Sequence, residues 1–147
     1  MSTVPAVKAA LVSLLTTALP STQVIYGPAT SVTVTEDRLL TVGKVTGDRQ
    51  FNSMTGQTTS ERYTVELVAS VDLAGTSQQA ADELVLADYA AAELAIREYS
   101  GGSDLGLAAS GVQQVLPTGE FELVEQADAD GRHAAVRFSV AVIAQNT

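Results

Sequence analysis

Residues 61–72 read Glu61-Arg62-Tyr63-Thr64-Val65-Glu66-Leu67-Val68-Ala69-Ser70-Val71-Asp72, and this stretch decides the fold. Tyr63, Val65, Leu67, Ala69 and Val71 recur at every second position, the period of a strand with one buried face. Val68 is the one apolar intruder on the other face. After Leu73-Ala74-Gly75 the period changes to that of a helix. Val85, Tyr89, Ala92, Ile96 and Tyr99 are spaced by fours and threes, and Ala81, Leu84, Ala91 and Ala95 widen the stripe. The spacing predicts a helix over Ser77 to Tyr99. Thr76, with Gln79 three residues later, fits a capping box at its start. Ser100-Gly101-Gly102-Ser103 ends it. Glu93 and Arg97 form an i,i+4 pair on its outer side, and Asp82, Glu83, Asp88, Glu93 and Glu98 read as its wet face.

Towards the N-terminus, Val7, Leu11, Leu14, Leu15 and Ala18 form one apolar stripe and predict a helix from Val4 to Leu19. Pro5 suits the first turn, where a missing N–H costs nothing. Thr3 is the better cap and Pro20 the stop. Gln23 to Tyr26 reads as a short strand, Val32 and Val34 mark a possible second, and Glu36-Asp37-Arg38 a turn. Leu39 to Val45 is a further strand around Gly43. Residues 46–60 are polar, with Phe51 and Met54 as the large apolar exceptions. They form a long hairpin or loop, and a long loop in a compact domain usually serves binding or assembly. Towards the C-terminus come strands at Ser110 to Leu116, Glu120 to Gln126 and His133 to Ala144, with turns at Pro117-Thr118-Gly119 and Asp128-Ala129-Asp130-Gly131. The last strand is apolar enough on both faces to be covered by a helix and by a neighbouring subunit. The expected fold is a single α+β domain over residues 1–147: a mostly antiparallel sheet against an N-terminal helix and one long central helix.

Composition narrows the function. The 147 residues carry 17 acidic and 8 basic side chains, a net charge of -9. Such a chain is ill-suited to wrapping DNA, whose phosphates call for lysine and arginine. It suits a surface past which DNA must slide without sticking. Without cysteine there is no disulfide, thiolate metal site or cysteine nucleophile. No apolar run approaches the roughly 20 residues of a membrane span, and the N-terminus lacks a signal-peptide pattern. The reading is an intracellular, unprocessed protein.

Catalytic patterns fail one by one. His133 is the single histidine, and no G-x-S-x-G elbow accompanies it. Asp128 and Asp130 beside Gly131 lack the twelve-position calcium pattern. Gly43-Lys44 is followed by Val45, so the hydroxyl of a phosphate loop is missing. Gly101-Gly102-Ser103-Asp104 follows a helix instead of opening one, the wrong context for a dinucleotide fingerprint. The expectation is no enzyme, no cofactor and no metal.

The remaining signals concern assembly. The helix VKAALVSLLTTALP, the strand ERYTVELVASVDLAG, the helix ADELVLADYAAAELAIREYS and the strands GEFELVEQ and RHAAVRFSVAVIA together resemble the tail terminator proteins of phages with long, non-contractile tails, the lambda-like group included. The resemblance is one of architecture over most of the chain. It implies a homo-hexameric ring that caps the completed tail tube, stops its polymerisation and offers a surface to the head-side connector or stopper protein. DNA then passes through the ring without specific binding. The implied location is the virion tail, reached from the host cytoplasm. On this reading Lys44, Asp48, Arg49, Phe51 and Met54 are candidates for tube contact or lumen lining, and Arg62 and Arg137 for contacts between subunits. A head-closure, neck or other minor tail protein, or a small accessory binding protein, is the alternative.

Overall fold

The structure, a computed structural model, describes residues 2–27, 37–51, 59–74, 77–99, 102–127 and 131–146. Its order is α1 (Val4–Ala18), β1 (Gln23–Tyr26), β2 (Arg38–Phe51), β3 (Thr59–Leu73), α2 (Gln78–Arg97), a 3-10 turn (Ala108–Ser110), β4 (Val112–Ala127) and β5 (Arg132–Asn146). The strands form one five-stranded sheet in the order β1-β2-β3-β5-β4. Only β1 and β2 run parallel; the other neighbours are antiparallel. The α+β fold expected from the sequence is the fold observed.

Alternation in β3 is as the sequence predicts. Tyr63, Val65, Leu67, Ala69 and Val71 are buried, while Arg62, Thr64, Glu66, Val68 and Ser70 are not. In β5, Ala134, Val136, Phe138, Val140, Val142 and Ala144 are buried in step with them. Both helices lie on this face. Helix α1 brings Val7, Leu11 and Leu15, and α2 brings Ala81, Val85, Ala92 and Ile96. Among the described residues the core is made of Val, Leu, Ala and Ile, joined by Phe138 and Tyr63.

Several sequence expectations shift. The cap of α2 is Ser77, whose hydroxyl accepts from the Ala80 N–H at 3.2 Å. Thr76 lies outside the described residues, as do Val32, Val34 and the Asp128–Asp130 turn. Arg38 opens β2 instead of closing a turn. Residues 46–51 and 59–60 are strand, so the polar segment lengthens the β2–β3 hairpin. The two strands expected over 110–126 are one strand, β4. Its register shifts between Pro117 and Phe121, and Gly119, at φ 84, takes the left-handed turn in that bulge.

Candidate assembly surface

Among the described residues, both helices lie on one side of the sheet. Among the described residues, no helix crosses the side bearing Leu39, Thr41, Thr64, Val68, Ala135 and Ile143. These side chains are half-buried. Between them stand Glu66, Glu122 and Arg137, with Glu122 directly opposite Arg137 in the β4–β5 register. At one end the face sinks into a concavity of about 540 Å³, lined by Asp37, Leu39, Ser70, Val124, His133 and Ala135 among others. There the His133 Nδ1 lies 3.0 Å from the Asp72 Oδ1. Among the described residues no three metal-binding side chains converge.

The predicted residues sort themselves along the hairpin. Lys44 lies within the register shift between Val42 and Val45, and it is exposed. Asp48 stands opposite Arg62, and Arg49 opposite Glu61. Asp48, Arg49 and Arg62 are all exposed. Phe51 ends β2 opposite Thr59, and Met54 lies outside the described residues. Arg137 is exposed halfway along the uncovered face. The structure therefore brings Asp48 and Arg62 together, and sets Arg137 well apart from them.

The tip end of the hairpin's described part holds an arrangement the sequence did not disclose. Glu61 is 5% exposed. Its carboxylate accepts from the Ser2 hydroxyl at 2.7 Å, the Thr3 N–H at 3.0 Å and the Thr3 hydroxyl at 3.4 Å. Thr3 also shares a 2.8 Å hydrogen bond with the Tyr63 hydroxyl. Helix α1 has no acidic residue in its first turn and no side-chain bond from its own cap. Glu61 supplies the negative charge there from a strand, where the helix N-terminus favours it. Burial pushes the Tyr63 phenol above its ordinary value; the bond to Thr3 opposes this and the Glu61 charge adds to it. The hairpin and the helix are thus clamped to each other. Glu61→Ala is expected to destabilise the fold by about 2–3 kcal/mol in urea unfolding, since it strands a buried N–H and two hydroxyls. Glu61→Gln keeps an acceptor and is expected to lose less; equal stability of all three proteins would refute the clamp.

A second missed arrangement joins α2 to the sheet. Asp88 is 1% exposed. It accepts from Arg38 Nε at 3.2 Å and from Thr22 Oγ1 at 3.2 Å, and it pairs with Arg38 Nη2. A third is the edge formed by β4. Phe121 is 56% exposed, stacks on Tyr89 with ring centres 5.2 Å apart, and Tyr89 meets buried Phe138 edge-on at 4.9 Å. Burial, and after it the bond and charge of Glu93, push the Tyr89 hydroxyl up to about 12. Nearby, a hydrogen bond with Asp82, together with that carboxylate's charge, raises the Glu125 carboxyl above its ordinary value.

No protein-family model matches the chain, and no curated protein matches it.

Proposed function

We propose that this chain is a structural subunit of a phage tail, a terminator that caps the tail tube as a hexameric ring and joins it to the head. The observation that carries the reading is the face of the sheet that no described helix covers. A domain with a complete two-layer core still presents Leu39, Val68, Val124, Ala135 and Ile143 on its other side. Those apolar groups alternate with charges, the mixture typical of surfaces that meet other proteins. The clamped hairpin fits the same use, because a rigid projection can dock on a tube without a large ordering cost. The acidic balance of the chain suits a channel through which DNA slides.

Light scattering coupled to size-exclusion chromatography, at several concentrations and two salt levels, tests this reading. A hexamer with a central hole in images is the expected result. A chain that stays monomeric alone is expected to assemble on purified tail tubes. A closed dimer at every concentration, or a monomer that ignores tail tubes, would overturn it.

A further inference from the structure

Among the described residues, each outer edge of the sheet is open over part of its length. Strand β1 pairs only with Leu39 to Val42 of β2. Among the described residues, no strand adjoins β2 from Val45 to Phe51 on that side. At the other edge, the start of β4 is occupied: Val115 donates to Ser103 O at 2.6 Å, and Val112 to Leu107 O at 3.2 Å. Past the bulge, the outer side of β4 from Phe121 to Ala127 has no partner strand among the described residues. The two open stretches are of similar length and both are regular on their inner side. Unpaired strand edges template the addition of another strand.

Charge selects which strand is added. The open part of β4 carries Glu122 and Glu125, with Glu120 just before it, and no basic residue. Two β4 edges laid together would face carboxylates with carboxylates, which is destabilising. The open part of β2 carries one acid and one base, Asp48 opposite Arg62 and Arg49 opposite Glu61, and Lys44 just before it makes this edge net basic. We infer that the open edge of β4 receives the open edge of β2 from a second copy of this chain, so that the sheet runs on from subunit to subunit. Phe121, exposed beside that edge and braced by Tyr89, supplies apolar contact at the junction.

The contact is heterologous: each copy gives one edge and receives at the other, so it repeats. Through β3, Val45 stands level with Val65 and Phe121 with Leu67, and the open stretches extend from these positions towards opposite ends of the sheet. Each copy therefore steps along the strand direction. A closed ring built this way holds its strands inclined to its axis, as closed sheets do. The inference rests on the ring reading for closure and can fail apart from it.

The natural absence of cysteine makes a clean trap. Thr46→Cys and Val124→Cys place one thiol beside each open edge. With a short bismaleimide, the double variant is expected to give a ladder of trimers and larger species, while each single variant gives dimers at most. Salt is expected to weaken the ladder. Reversing the β4 charges (E120R/E122R) or the β2 charges (K44E/R49E) in the double-cysteine chain should abolish it. Mixing the two reversed chains should restore it, since each then meets a complementary edge. A double variant that stops at dimers, or a ladder untouched by charge reversal, would overturn the contact. A hexamer by scattering without a ladder would overturn the contact and leave the ring standing. A ladder without a hexamer would uphold the contact and overturn the ring.

Discussion

Asp88→Ala is expected to be among the most damaging single changes to the folded chain. Removing one partner of a buried ion pair typically costs about 3–5 kcal/mol, because the other charge is left without compensation. Arg38 keeps 27% of its side chain exposed, so the loss falls at the low end, roughly 3 kcal/mol. That is a large part of the 5–15 kcal/mol or so by which domains are stable. The Thr22 hydroxyl loses its acceptor in the same change. Urea unfolding should show a lower midpoint with an unchanged slope. Arg38→Ala should cost at least as much, since it leaves a carboxylate that is 1% exposed without its cation. The two substitutions combined should cost clearly less than their sum, because they share one interaction. Additive losses would show that Asp88 and Arg38 act independently, and the pair would then not be what holds α2 against the start of β2.

Gly47→Ala is expected to break the hairpin for a different reason. A Cβ at Gly47 would lie 2.3 Å from the Arg62 carbonyl oxygen, 2.3 Å from the Tyr63 Cβ and 2.5 Å from the Tyr63 Cα. Facing Cβ atoms in antiparallel strands normally sit about 4.5–5.5 Å apart. Two of the three atoms belong to the backbone of the paired strand, so no rotamer change relieves the clash. The arms must separate, or the register must slip and turn every side chain to the wrong face. Overpacking of this kind costs about 1–3 kcal/mol, occasionally more, and the upper end is expected here. Tyr63, displaced, would also lose its bond to Thr3. Hydrogen exchange should show faster exchange in residues 45–51 and 59–65 with the far end of the sheet still protected. A variant with wild-type protection there would mean that the strands can part at no cost.

The parts legible in the sequence are those in which one face is dry and the other wet. Strand β3 lies at the centre of the sheet with helices on one side, so residues 63–71 alternate cleanly. Helices α1 and α2 show their stripes for the same reason. Asp88 escaped because its charge was given more weight than its position. Ala81, Val85, Asp88, Ala92 and Ile96 are the buried residues of α2, and their spacing puts the aspartate on the dry stripe. Its partner Arg38 lies 50 residues away, which no local period can reveal. The outer hairpin and β4 were harder still. Residues 46–50, and 118–126 apart from half-buried Leu123, are exposed on both faces, so nothing alternates there, and Pro117-Thr118-Gly119 resembles a turn because its glycine does adopt turn geometry inside the bulge. The Glu61 clamp had one available signal: an acid at the head of an otherwise apolar-facing strand, in register with the buried positions.

The pairing of β3 with β5 also governs how the chain reaches its fold. Thr59 pairs with Asn146 and Leu73 with Arg132, so the central contact waits until β5 has been made. During synthesis β2 and β3 can close their hairpin at once, yet β3 keeps an apolar face and a free edge until the last strand emerges. Sheets built from such distant pairings fold on the scale of milliseconds to seconds, and an open edge in that interval invites pairing with other nascent chains. On the proposed ring reading, crowding many copies together is what the ring needs at the end of its assembly and what its newborn subunits must be spared at the beginning.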